Sequence, residues 1–269
     1  MIQSWALSVV FAIVIAGCGG AVVSEPPPTT STTTTAEILT PPVETDEEPI
    51  DLPQVEHRPV YQGFEAGLRE HSSLVAMTRG DTEVYATPGD AAPLVTMPAT
   101  TILNTVTVLT VVGEPIDGWA QVMLPIRPNG STGWIRLDNV ELYLVEGKIV
   151  IDLSDKQLTY TVDGEAVIKS TIAIGTDQNP TPTGIFFVTD SVTLRDPGSL
   201  WGPHALGISA HSDTITEFNG GDGIIGIHGT SNPSSIGRAV SLGCVRLPND
   251  LITELHTMVP LGTPVEIRA

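Results

Sequence analysis

Basic residues are scarce in this 269-residue chain: 12 Lys and Arg stand against 31 Asp and Glu, and the formal net charge is −19. It has no basic stripe and no Arg/Lys patch interleaved with aromatics, and so lacks the cationic surface that a phosphate backbone requires. That composition excludes nucleic acid as a partner. Long apolar runs are missing as well. The stretch from Trp5 to Ala16 is too short to cross a bilayer as an ordinary helix and has the length of a signal-peptide core. Cysteine is nearly absent, with only Cys18 and Cys244, so a disulfide framework is unavailable.

The absence of Lys and Arg continues from Gly19 to about His57, where eight acids fall between Glu25 and Glu56 and the tracts PPPTTSTTTT and ETDEEPIDLP occur. Such a segment cannot bury enough surface to offset its ordering entropy, so it is expected to stay extended and to act as a spacer. At roughly 5–6 Å × √n, about forty residues give a mean reach on the order of 35 Å. The chain divides accordingly into a leader (1–17), a Thr/Pro/Glu-rich linker (18–57), a connecting segment (58–72) and two folded parts (73–145 and 146–269).

The informative residues lie near the far end. Ile227-His228-Gly229-Thr230 is followed by Ser241-Leu242-Gly243-Cys244-Val245-Arg246, which sets an imidazole sixteen positions ahead of the one cysteine in the folded parts. A thiol becomes a strong nucleophile on losing its proton, and a neighbouring histidine can accept it near neutral pH. Cys244 is therefore a candidate nucleophile and His228 its base. The intervening GTSNPSSIGRAV is too rich in Gly, Ser, Asn and Pro for one continuous helix, so the two residues are expected to meet through a loop. The flanking Gly229-Thr230 and Gly243 suit close backbone approach, with exposed N–H groups around Gly243 and Cys244 forming an oxyanion hole.

IHGTSNPSSIGRAVSLGCVR resembles the signature of the YkuD-type L,D-transpeptidases, bacterial cell-wall enzymes with a cysteine nucleophile. PTPTGIFFV (Pro180 to Val188) and WGPHALGIS (Trp201 to Ser209) resemble two further segments of that family, the second its substrate-side loop. The resemblance runs from about Lys148 to Arg268. It implies that Cys244 attacks, that His228 acts as base and then acid, and that the Gly229 carbonyl orients the imidazole. Arg246, Gly243, Ser241, Thr230, His204 and Trp201 are the implied substrate contacts, and neither metal nor cofactor is expected. Leu242 departs from the pattern, since many members carry His or Lys there. The implied activity is transfer between peptidoglycan stem peptides, giving 3→3 cross-links in wall building and cell shape. Two alternatives stay open: a hydrolase using the same thioester, and a non-catalytic wall-binding lipoprotein.

Ile15-Ala16-Gly17-Cys18 resembles the lipobox of bacterial lipoproteins, which implies lipidation at Cys18, export, and an anchor on the outer face of the cytoplasmic membrane. With one cysteine lipidated and the other catalytic, no disulfide is expected; a Cys18–Cys244 bridge would silence the enzyme. A monomer is expected.

The fold expected is mainly β. From Ser73 to Tyr143, short β-branched runs alternate with Gly/Pro/Asn/Asp turns, the pattern of a small barrel. Gly118-Trp119 and Gly133-Trp134 resemble a bacterial SH3-type domain, with the tryptophans expected in its core. Beyond it, strands are expected at 148–153, 157–162, 166–174, 184–189, 224–228 and 264–267, with a long loop region before Ile224 that holds His204 and His211. One helix is expected over Asp250 to Met258, capped by Asn249 or Asp250, with His256 structural.

Overall fold

The computed structural model describes residues 71–218 and 221–269. The lipobox-like Ile15–Cys18, the linker, His57 and all but the last two residues of the connecting segment lie outside the described residues. The described residues belong to one compact unit.

The first strands are short: β1 (Ser73–Thr78), β2 (Thr82–Val84), β3 (Val95–Met97), β4 (Val108–Thr110), β5 (Trp119–Met123), β6 (Thr132–Arg136) and β7 (Val140–Val145). They form a β4-β1-β7 sheet and two hairpins, β2-β3 and β5-β6. Along β5 and β6 burial alternates, so Ala120, Val122 and Ile135 point inward with Val75, Leu109 and Val84. The period of two then sends Trp119 and Trp134 to the outer face. Both are half-buried rather than in the core, with Tyr85 edge-on to Trp119 at 5.3 Å and Arg136 over its ring at 5.4 Å.

The second part is built on an eight-stranded sheet of order β10-β9-β8-β17-β12-β13-β14-β16. Its strands are β8 (Gly147–Asp152), β9 (Gln157–Val162), β10 (Glu165–Thr171), β11 (Ile174–Gly175), β12 (Gly184–Thr193), β13 (His204–His211), β14 (Ile224–His228), β15 (Ala239–Ser241) and β16 (Val245–Arg246), followed by α1 (Asn249–Met258) and β17 (Pro264–Arg268). Of these, β11 and β15 stand apart as a short parallel pair. The last strand lies between β8 and β12, parallel to the first and antiparallel to the second, so the C-terminus closes the sheet. Ile252 and Leu255 of α1 are fully buried against the face formed by Leu206, Ile208, Ile227 and Val245. Each such fully buried side chain contributes about 1.5–3 kcal/mol.

Two expectations are corrected. The segment expected as loop before Ile224 contains the eight-residue β13, between β12 and β14; its HALGISAH sequence lacks a β-branched run, so burial between neighbours, not propensity, makes it a strand. The helix starts at Asn249, preceded by Pro248 and without a side-chain cap, because Asn249 is engaged elsewhere.

The two parts share buried surface. Phe187 of β12 belongs to the apolar cluster of the first part, and the Thr110 and Tyr143 hydroxyls donate to the carbonyls of Gly262 (3.1 Å) and Leu261 (3.0 Å).

Candidate active site

The cysteine turn is held from three sides. The Ser241 hydroxyl accepts the Gly243 N–H (3.1 Å) and donates to the Cys244 carbonyl (2.6 Å), which closes the turn on itself. The Thr181 hydroxyl donates to the Gly243 carbonyl (2.8 Å) and accepts the Gly175 N–H (2.9 Å). Beyond the turn, Arg246 and Ala173 exchange both backbone hydrogen bonds at 2.9 Å. Gly243 has φ +120°, and a Cβ there would lie 3.0 Å from Ile225 Cδ1, so both backbone and space require glycine.

Strand pairing sets the thiol and the imidazole on one face. β14 and β16 run parallel with Ile227 opposite Val245 and His228 opposite Arg246. Ile227 and Val245 point into the core, so alternation places Gly226, His228, Cys244 and Arg246 together on the opposite face. The Gly226 N–H donates to Cys244 Sγ at 3.4 Å. The two residues thus face the same side of adjacent strands, and the connection between them is no continuous helix: it holds a short 3-10 turn at Pro233–Ser235 and strand β15.

His228 is 4 % exposed, and its Nδ1 lies 2.6 Å from the Gly229 carbonyl. A carbonyl only accepts, so in the neutral ring Nδ1 carries the hydrogen and Nε2 is the basic nitrogen. The carbonyl is aimed by a crowded crossing. A Cβ on Gly229 would stand 2.4 Å from Asn249 Oδ1, and one on Gly202 would stand 2.7 Å from Gly229 Cα. Asn249 Oδ1 accepts the Thr230 N–H at 2.7 Å and pins the strand end. Trp201 covers the imidazole, with ring centroids 4.4 Å apart.

Electrostatics keep the resting pair neutral. Burial pushes the His228 pKa down to about 4; hydrogen bonds with the Gly229 and Trp201 backbones favour the imidazolium, while the Arg246 charge disfavours it. Burial raises the Cys244 thiol above its ordinary value, offset in part by the Gly226 N–H and the Arg246 charge. The half-buried thiol is therefore protonated at neutral pH, and a thiolate forms only as its proton passes to a base.

The other residues singled out from sequence separate into groups. Trp201 and Arg246 lie at the Cys244/His228 face, and the Arg246 Nε is buried without a hydrogen-bond partner. Gly243 does not offer its N–H to an oxyanion, since Ser241 takes it; Ser241 itself braces the turn. Thr230 is likewise internal: its hydroxyl accepts the Asn232 N–H at 3.0 Å. His204 falls on the other face of β13, stacked on His256 of α1 at 4.2 Å, because Ala205, not His204, shares the His228 face. His211 is buried beside Asp222, with Nε2–Oδ2 at 3.5 Å, and does not reach the thiol turn. Leu242 is 54 % exposed at the tip of the turn. Sequence reasoning missed Thr181 and Asn249 as supports. Thr181 lies inside the PTPTG segment, but nothing local says that its hydroxyl reaches across 62 positions to Gly243.

Comparison with known proteins identifies the family. Residues 146–267 match the family of the YkuD L,D-transpeptidase catalytic domain. A Bacillus subtilis (strain 168) protein named as an L,D-transpeptidase, YkuD, is 35% identical over 125 residues, covering 46% of this chain and 68% of the relative. Its namesake in Bacillus licheniformis is 35% identical over 120 residues, covering 45% of this chain and 64% of the relative. A solved structure, an L,D-transpeptidase from Mycobacterium smegmatis, is 19% identical with a TM-score of 0.37, covering 70% of this chain and 99% of that one. On the sequence matches, the chain belongs to the YkuD L,D-transpeptidase family and carries that family's catalytic domain in residues 146–267.

Proposed function

We propose that this protein joins peptidoglycan stem peptides through a thioester on Cys244. The observation that carries the reading is the Cys244/His228 arrangement: a thiol on the same face as an imidazole whose tautomer is set by Gly229, leaving Nε2 to take a proton. His228 removes the thiol proton as Sγ attacks the carbonyl between the third stem residue and the terminal D-alanine. The tetrahedral oxyanion collapses, the C–N bond breaks, and the D-alanine amine leaves with the proton from His228. A side-chain amine of a neighbouring stem then attacks the thioester, His228 takes the amine proton, and the thiolate departs and is reprotonated. The product is a 3→3 amide cross-link.

With the Gly243 N–H engaged, the Cys244 N–H is the turn's donor for the oxyanion. Arg246, charged and with a buried unpaired Nε, is suited to receive a carboxylate of the stem. Water in place of the acceptor amine turns the same site into a carboxypeptidase. Incubation with tetrapeptide muropeptides and mass analysis decides between them: dimers support transfer, and trimmed stems alone support hydrolysis.

Outside the catalytic part, residues 73–145 are read as an SH3-like domain, and Cys18 as a lipid anchor followed by a spacer that lets the enzyme reach the wall from the membrane's outer face. Cys18→Ser is expected to move the protein from the detergent phase to the aqueous phase; an unmodified Cys18 in the mature protein overturns the anchor.

A further inference from the structure

The β13–β14 connection begins and ends within reach of one side chain from the N-terminal part. The Arg127 guanidinium donates from Nε to Asp222 Oδ1 (2.7 Å), from Nη1 to the Ser212 carbonyl (2.8 Å), and from Nη2 to the carbonyls of Ile215 (3.2 Å) and Asp222 (3.1 Å). Two residues on, the Asn129 side chain pairs with the His211 backbone in both directions, at 2.8 and 2.9 Å. The Arg127–Asp222 ion pair is partly solvated, at 29% and 50% side-chain exposure, so its charge alone contributes little. The geometry contributes more. One planar fork satisfies three carbonyls and a carboxylate that converge from both ends of the connection, which an ammonium cannot do.

Both ends lead to the catalytic face. Residues 222 and 223 run directly into β14, which carries Gly226 against the thiol and His228. Phe218, from the same connection, meets Trp201 with ring centroids 6.5 Å apart, and Trp201 covers the His228 ring at 4.4 Å. Phe218 keeps 41% of its surface exposed, so its free side is available to an extended peptide lying beside the imidazole.

We propose that Arg127 is a positioning residue for the stem peptide: from the N-terminal part it fixes the Phe218–Trp201 wall of the active site, so that the two parts form one catalytic unit. This rests on the transferase reading above. The chemical step at Cys244 needs only the turn and His228, whereas a peptide several residues long needs the wall. Loss of Arg127 is therefore felt by the peptide and spared by a small acylating probe.

The test uses full-length Arg127→Met and Arg127→Lys, with two substrates: a tetrapeptide muropeptide followed by mass spectrometry, and a small β-lactam whose acylation of Cys244 is followed by intact mass. Adduct formation on the wild type at Cys244 establishes the catalytic reading independently of Arg127. The expected result for Arg127→Met is a loss of about tenfold in kcat/KM for the muropeptide, mostly in KM, with lactam acylation within about twofold of wild type and little rescue by Lys. Phe218→Ala, which leaves the clamp intact, is expected to give the same split, and the double variant to be no worse than the poorer single one. Equal losses on both substrates, unchanged muropeptide kinetics, or strictly additive losses in the double variant would each overturn the proposal. Should Arg127→Met fail to fold, Arg127→Lys and Phe218→Ala carry the same comparison.

Discussion

The two folded parts bury different chemistry. In residues 71–145 the buried polar side chains are all threonines, Thr78, Thr82, Thr107 and Thr110, around a core of Val, Leu, Ile and Ala. In residues 146–269 the buried polar set includes His211, His228 and Asp190, with Ser209, Ser241 and Thr181. A hydroxyl is readily satisfied by a backbone carbonyl, as Thr78 is by Thr107 at 3.1 Å; a buried imidazole loses its charged form. The first part thus gains stability from nearly everything it buries. The second holds imidazoles out of water, at a cost that depends on pH, and one of them, His228, lies on the face that carries Cys244.

That contrast breaks most completely at Cys244. Cys244→Ala is expected to lower acyl-enzyme formation on the order of 10⁴-fold or more, read by intact mass, with a thermal midpoint close to wild type because a half-buried turn residue is replaced. His228→Gln is expected to lose nearly as much, and the double variant little more than either alone. Strictly additive losses would show that the two residues do not act as a unit.

Acid sharpens the comparison. Unfolded, His228 binds its proton near its ordinary value of about 6.5, but in the fold only near 4, so the unfolded state holds more protons in between. The stability linked to this ring is full above about pH 6.5 and is lost as pH falls towards 4, on the order of 3 kcal/mol in total. Burial also lowers the values of His204, His211 and His256, and these add to the total. The difference between wild type and His228→Gln in urea titrations at pH 7 and pH 4 isolates the one ring; identical pH profiles would place its titration near the ordinary value.

A smaller effect is expected at the boundary between the parts. Gly262 has φ +77°, and a Cβ there would stand 2.5 Å from Val75 Cγ1 across the interface. Gly262→Ala is expected to destabilise by about 1–3 kcal/mol in denaturant titration, while acylation per folded molecule is unchanged. The smallest effect is expected for Leu242→Ala, since that side chain is largely exposed beside Cys244: less than about tenfold in acylation rate, or 1.4 kcal/mol. A loss matching that of Cys244→Ala would assign Leu242 to thiol positioning.

Much of this was legible where the signal is local. The hairpin β8–β9, strand β14 and helix α1 were readable because each carries its own period of apolar residues. Strand β13 was not, since its Gly, Ala and His positions acquire strand character only between β12 and β14. His204 looked like a cleft residue because it lies close in sequence to Trp201; the alternation of β13 turned it to the helix side, onto His256. Thr230, Ser241 and Gly243 looked like substrate contacts because they flank the reactive pair. Their hydrogen-bonding groups are instead spent on holding the loops that carry it.

Residue identity alone pointed to the chemistry: one thiol and one imidazole in ordered, glycine-flanked motifs, with a β-rich pattern around them. Which side chains support that chemistry was decided only by the fold. Thr181 reaches the thiol turn, Asn249 leaves its helix to hold Thr230, and Arg127 closes the β13–β14 connection from another part of the chain. The physical reason is that the kind of chemistry a side chain can do is set by its residue type and is written at one position. Its position is a sum of hydrogen bonds and close contacts between segments far apart in the chain, and no local pattern records those until strands pair and cores close.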